Sequence, residues 1–169
     1  RLALNGAEPI DRITLNKFIA KFKKYGLRDD IFFPCYGMAE NSLAATFPSL
    51  EQTTIVKRFN RNRLEEDHVA IDSTSEDSKE YIDLVAVGYP LLGQEIRIVD
   101  DKDKTLKERQ VGQIVLKSPS LTKGYYKNAE ATAKTIKNGW LSTGDLGFIL
   151  DGRLFISGRM KEVIIKRGK

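Results

Sequence analysis

Hydrophobic positions along the chain change period near its first third. "RLAL" is a short apolar run closed by "NGAEP", which predicts a strand and then a turn. In "ITLNKFIAKFKKYG", Leu15, Phe18, Ile19 and Phe22 recur at steps of three and four, which is one stripe of a helix. Asp11 or Thr14 suits its start, and Gly26 suits the left-handed turn after its end. "IFFPCYG" predicts a second strand, with Pro34 near its end because proline has no N–H for a ladder. Strand, helix and strand up to about Phe47 predict a piece of an α/β layer. From Glu51 to Asp83 the pattern weakens: "RNRLEEDH" is highly charged and "DSTSEDSKE" is polar and loop-like. Short apolar runs then crowd together in "DLVAVG", "QEIRIVD", "GQIVLKS", "GFIL" and "RLFISG". The Asp-Gly between the last two predicts a tight hairpin, since both residues tolerate positive φ. One helix, "NAEATAKTI", interrupts them, with Asn128 as its cap and Asn138-Gly139 as its stop. The fold class expected is α/β followed by a mostly antiparallel, β-barrel-like subdomain.

Composition narrows the picture a little. The 169 residues suit one or two small domains with a core. No apolar run approaches the ~20 residues of a membrane span, and no basic-then-apolar leader opens the chain. Cys35 is the only cysteine, which excludes an internal disulfide and fits a reducing cytoplasm. The net charge of +5 is local: Arg159–Lys169 holds five basic residues and one acid. That cluster suits phosphates on a small ligand as well as it suits RNA or DNA. Both ends cut through strand-like runs, so a piece of a longer protein is expected.

Four clusters bear candidate chemistry: "NGAEP" (5–9), "YGMAE" (36–40), "GWLSTGDLG" (139–147) and "GRMKEVIIKRGK" (158–169). Each alone has an ordinary reading as a turn, a core tyrosine or a solvated basic face. Cys35 reads as a small buried hydrophobe and His68 as a solvated residue, and no Cys or His spacing supports zinc.

In this order and with these neighbours, the clusters resemble the adenylate-forming superfamily of acyl-CoA synthetases, luciferases and peptide-synthetase adenylation domains. The resemblance is stronger to fatty acyl-AMP ligases. Their "NGAEP", "YPCYGLAE", "GxPLPGQEVRIVD", "VGEIWVxGPSVAxGYW" and "WLRTGDLGFLxDGELYVTGRLKDLIIIRG" stand here as "NGAEP", "FPCYGMAE", "GYPLLGQEIRIVD", "VGQIVLKSPSLTKGYY" and "WLSTGDLGFILDGRLFISGRMKEVIIKRG". The match covers nearly the whole chain except the middle segment.

The resemblance implies the C-terminal part of the large N-terminal domain of such an enzyme. Residues 1–50 would end its α/β subdomain, 51–84 would be an insertion-like charged loop, 85–158 the β-barrel-like subdomain and 159–169 the hinge. It implies a reaction in which a fatty acid and ATP give acyl-adenylate and pyrophosphate, after which a thiol takes the acyl group. Adenine would lie between the backbone of Gly6, Ala7, Glu8 and Pro9 and the ring of Tyr36, with Gly37, Met38 and Ala39 adjoining. Many relatives carry threonine where this chain has Ala39, as fatty acyl-AMP ligases often do not. Glu40 would hold Mg²⁺ beside the phosphates, or serve only as a first-turn helix acid. Asp145 would accept both ribose hydroxyls, Arg159 would contact ribose or phosphate, and Lys161 would be the hinge. The family's phosphate loop would precede Arg1 and its catalytic lysine would follow Lys169, so no catalytic residue is expected within these residues. The middle segment matches an insertion thought to disfavour CoA and leave transfer to an acyl-carrier protein. The alternatives are a segment of a CoA-using synthetase or of a peptide-synthetase adenylation domain, a basic nucleic-acid-binding module, and a non-catalytic scaffold.

Overall fold

The computed structural model describes residues 2–50 and 52–160. It opens with strand β1 (Ala3–Asn5), helix α1 (Arg12–Phe22) and strand β2 (Phe32–Pro34), and the two strands pair in parallel with Leu4 opposite Phe33. This is the expected strand–helix–strand unit. Asp11 is the cap: its carboxylate accepts from the backbone N–H of Ile13 and Thr14. Thr14 lies inside the first turn and donates its hydroxyl to the same carboxylate. A 3-10 turn over Lys23–Tyr25 then ends at Gly26, whose φ of 85° is the expected left-handed stop. Pro34 closes β2.

Strand β3 (Tyr36–Met38) follows β2 at once and pairs antiparallel with β4 (Leu43–Phe47). β5 (Val56–Asn60) leads into a short helix α2 (Arg61–Glu65), and β6 (Tyr81–Val85) returns antiparallel to β5. β7 (Tyr89–Pro90) joins the free edge of β4. β8 (Glu95–Val99), β9 (Gly112–Lys117), helix α3 (Ala129–Thr135), β10 (Ile136–Lys137), β11 (Trp140–Leu150) and β12 (Arg153–Arg159) complete the described chain. Their sheet runs β10–β11–β9–β8, with β12 also on β11, and every pair in it is antiparallel. The sheet is open: among the described residues β8 and β12 do not pair, so no barrel closes.

Two local expectations need correction. The span 51–84, read as a charged loop, contains β5, α2 and β6. Its charges concealed the strands because they are paired across the ladder. Arg58 lies opposite Asp83, grips it through Nε and Nη2 at 2.9 and 3.2 Å, and stacks its guanidinium 3.6 Å from the Tyr81 ring centre. Asn138-Gly139 does not stop α3, which has already ended at Thr135. With φ of 52° and 78° it forms the tight turn between β10 and β11, the same device that Asp151-Gly152 provides between β11 and β12.

The core joins these parts. Phe59 of β5, Phe148 of β11 and Phe155 of β12 are almost wholly buried. Phe148 and Phe155 stack with centroids 5.2 Å apart, and Phe59 meets both edge-on at 5.1 and 5.8 Å. Leu64 and Ala70, between β5 and β6, pack into the same cluster. The middle segment therefore shares its hydrophobic interior with the sheet that follows it.

Phe148→Ala should cost about 3–5 kcal/mol of stability, read as a lower midpoint in urea unfolding, because the cavity opens among rings with no room to collapse. A second outcome concerns acid. The guanidinium of Arg58, aided by that of Arg12 at 2.8 Å, holds the Asp83 carboxyl below its usual 3.8. A depressed carboxyl contributes stability that is fully present above its unfolded value and lost as pH falls through the folded one. Unfolding midpoints measured from pH 5 downward should fall below about pH 4, and Asp83→Asn should flatten part of that slope.

Candidate functional site

The parallel pair β1–β2 sets up the site. Both strands end together: the Cys35 N–H donates to Asn5 O at 2.8 Å. "GAEP" and Cys35–Tyr36 therefore leave the carboxyl ends of adjacent parallel strands, the usual place for a ligand crevice in open α/β sheets. Gly6 lies flat against the neighbouring backbone, and a Cβ there would stand 2.7 Å from Cys35 O. Ala7 turns the chain with φ of 70°, and Glu8 and Pro9 are exposed beyond it. Cys35 is half-buried rather than fully buried. Burial pushes its thiol up, and its Sγ faces Asn5 O at 3.5 Å, a poor setting for a nucleophile.

Tyr36 packs against two buried clusters, one of Ala45, Leu116 and Leu141 and one that includes Ile98 and Ile114. The hydroxyl donates to Asp145 Oδ2 at 2.6 Å. Burial first, and then donation to that carboxylate, drive the phenol pKa far above its usual value, so Tyr36 remains a donor. Gly37 is required by close packing, since a Cβ would fall 1.6 Å from Leu43 O. Met38 is half-buried beside it, and Ala39 is exposed at the start of a single 3-10 turn, Ala39–Asn41.

Asp145 reaches Tyr36 because β11 bulges. Between Ser142 and Leu146 the pairing with β9 slips, Gly144 takes φ of 78°, and the Thr143 hydroxyl bonds both Ile114 O and the Asp145 N–H. "STGD" is thus a kink inside an eleven-residue strand rather than a loop. On the other side Arg159, opposite Asp145 in the β11–β12 ladder, donates its Nε to Asp145 Oδ1 at 3.0 Å. The Asp145 side chain is 12% exposed and that of Arg159 is 66% exposed. Each carboxylate oxygen holds one protein donor and keeps a further lone pair free.

The structure thus brings Tyr36, Asp145 and Arg159 into contact and sets Gly6, where residues 6–9 begin, against Cys35, the residue before Tyr36. Glu40 is placed separately: its Oε1 accepts the Tyr125 hydroxyl at 2.8 Å. Tyr125 lies in "LTKGYY", a few residues before α3. Trp140 points to other work, with Arg97 stacked 4.1 Å from its ring centre. His68 is exposed. Lys161 lies outside the described residues, as does the rest of the basic cluster beyond Met160. Among the described residues no three His, Cys, Asp or Glu side chains gather as a metal site, and no helix is long and apolar enough to cross a membrane.

Comparison with known proteins places this geometry in context. Residues 1–126 match the model of the AMP-binding enzyme family. The chain is similar to the medium-chain-fatty-acid–[acyl-carrier-protein] ligase JamA of Moorena producens, 35% identical over 100% of this chain and 30% of that one. Among solved structures it superposes on a fatty acyl-adenylate ligase of the E. coli and L. pneumophila set with TM-score 0.91, at 36% identity over 99% of this chain and 30% of that chain. It also superposes on the adenylation domain of a keto acid-selecting NRPS module bound to keto acyl adenylate, with TM-score 0.88, at 32% identity over 97% of this chain and 30% of that chain. The chain spans about 30% of the length of the relatives it matches.

The packing at Gly37 gives a direct expectation. Gly37→Ala should lower stability by roughly 2–3 kcal/mol, read as a drop in thermal midpoint, because the obstacle is backbone and β3 must part from β4.

Proposed function

The chain belongs to the AMP-binding enzyme family, and from that premise we propose that it is the nucleoside-holding part of a fatty acyl-AMP ligase, an ATP-dependent enzyme that hands its acyl group to an acyl-carrier protein. The observation that carries the reading is the bond between Tyr36, just past the end of β2, and Asp145, 109 positions later. Adenine lies against the Tyr36 ring, with the Gly6–Pro9 backbone on its other side and Gly37, Met38 and Ala39 adjoining. A rigid aromatic face fixed at its hydroxyl suits stacking of a purine. Asp145 uses its free lone pairs for the two ribose hydroxyls. Arg159, mostly exposed, is able to reach the ribose or a phosphate while keeping its Nε on Asp145. These contacts fix the nucleoside, so that a carboxylate oxygen of the fatty acid meets the α-phosphorus in line and pyrophosphate leaves.

Glu40 fits Mg²⁺ in a limited way. It is a single carboxylate, with one oxygen taken by Tyr125, so it suits an ion that draws its other ligands from phosphate and water. Such an ion, when bound, offsets charge on the phosphates. Lys161 would be the hinge, and the catalytic lysine and phosphate loop would lie in sequence beyond these residues. The segmentation into 1–50, 51–84, 85–158 and 159–169 belongs to this reading, with 51–84 built of strands and a helix rather than as a loop, as does a cytoplasmic setting, which suits ATP use and a lone unpaired cysteine. Carrier-protein acceptance is supported by JamA, whose name specifies that acceptor. A second reading, a peptide-synthetase adenylation domain, draws on the keto acid-selecting NRPS likeness.

In the full-length enzyme, Asp145→Ala should weaken AMP binding by roughly a hundredfold in calorimetry, the loss of two charge-assisted hydrogen bonds; unchanged affinity would remove the proposed ribose grip. The 169-residue chain alone should give no ATP–pyrophosphate exchange. Acyl-CoA formed as readily as acyl-carrier protein would end the acceptor assignment.

A further inference from the structure

Tyr125 contacts Glu40, a candidate site residue that stands apart from the Tyr36–Asp145–Arg159 group. We infer that Tyr125 is a positioning residue for the metal-binding carboxylate of Glu40: its hydroxyl fixes Oε1, and Oε2, which accepts no hydrogen bond among the described residues, is left for Mg²⁺ beside the ATP phosphates. The inference rests on the proposed reading of Glu40 and deepens it.

The backbone of the Glu40 turn is fixed by other groups. Asn41 is buried, and its side-chain amide donates to Ala44 O at 2.7 Å and Gln94 Oε1 at 3.0 Å. The Thr122 N–H donates to Glu40 O at 2.7 Å, and the Ser120 hydroxyl donates to Asn41 Oδ1 at 3.2 Å. None of these touches the Glu40 carboxylate. A lone half-buried glutamate on a single turn retains several rotamers, and ordering them costs free energy when an ion binds. Among the described residues the Tyr125 hydroxyl is the contact that selects one.

Tyr125 is itself held. Its N–H donates to Thr132 Oγ1 at 2.9 Å, and its carbonyl accepts from the Asn128 N–H at 3.1 Å. The Thr132 hydroxyl in turn donates to Asn128 O at 2.8 Å. Gly124, with φ of 147°, permits this close approach, for a Cβ there would stand 2.6 Å from Thr132 Cγ2. The start of α3 is therefore a fixed mount, and the tyrosine spans from it to Glu40. A hydrogen-bonded partner behind a ligating carboxylate is the usual support for metal affinity. A tyrosine suits the task because it is long and rigid, and because as a neutral donor it adds no positive charge to repel the cation.

The test uses the full-length enzyme and three proteins: wild type, Tyr125→Phe and Glu40→Gln. Mn²⁺, as a spectroscopic stand-in for Mg²⁺, is titrated by electron paramagnetic resonance in the presence of α,β-methylene-ATP. AMP binding without metal is measured in parallel by calorimetry. Tyr125→Phe should weaken Mn²⁺ binding about tenfold and raise KM for Mg·ATP, with kcat recovered at saturating Mg²⁺ and AMP affinity unchanged. Wild-type Mn²⁺ affinity in Tyr125→Phe, alongside a loss in Glu40→Gln, would overturn the positioning role and leave the Glu40 reading standing. Wild-type Mn²⁺ affinity in Glu40→Gln would overturn that reading and this inference with it. An equal loss of metal-free AMP binding in Tyr125→Phe would show a merely structural role and overturn the inference.

Discussion

A carboxylate sheltered from water is costly unless it is paired and hydrogen-bonded, and Asp145 is the place where this chain meets that requirement. The pairing demands three unrelated features of the fold. β11 must bulge, so that the side chain leaves the ladder at the right point. β12 must end in register opposite it, so that Arg159 is the cross-strand neighbour. β3 must lie where the Tyr36 hydroxyl arrives at 2.6 Å. The α/β part and the antiparallel sheet thereby meet at a polar contact, beside the apolar packing of Ala45 with Leu116 and Leu141, while aromatic packing among Phe59, Phe148 and Phe155 ties the middle segment to the same sheet.

Much of this was legible in the residues. The period of α1, the Asp11 cap, the Gly26 stop, the Pro34 strand end and the Asp151-Gly152 hairpin are local features, and local chemistry decides them. The order of the short strands in the sheet was not legible, because β8 to β12 differ little in composition and only their long-range partners distinguish them. The middle segment was misread for a clear physical reason. Arg58, Asp83 and Lys57 look like solvated loop charges in a list of residues, but in the fold they neutralise one another across strands or reach Asp151. Asn138-Gly139 was a correct turn signal given the wrong job, since an Asn-Gly pair serves a helix end and a hairpin equally well.

The candidate site shows the same division. Tyr36, Asp145 and Arg159 were singled out from sequence, and the structure puts them in contact. Their roles toward a nucleotide come from resemblance and chemistry. Tyr125 carried no signal of its own, because its partner Glu40 lies 85 positions earlier and an exposed tyrosine beside a glycine has many uses. Pairings of this length leave no periodicity for a sequence reader to find.

The placement of Phe59 limits how this protein is free to drift. Because a ring from β5 is shared with β11 and β12, neither β5 nor β6 tolerates gain or loss of a residue without turning a buried ring toward water. Length variation in the middle segment is left to the connection between α2 and β6, where 73–77 runs without regular structure. Homologues should therefore differ in the size of that connection and agree in the strands that bracket it.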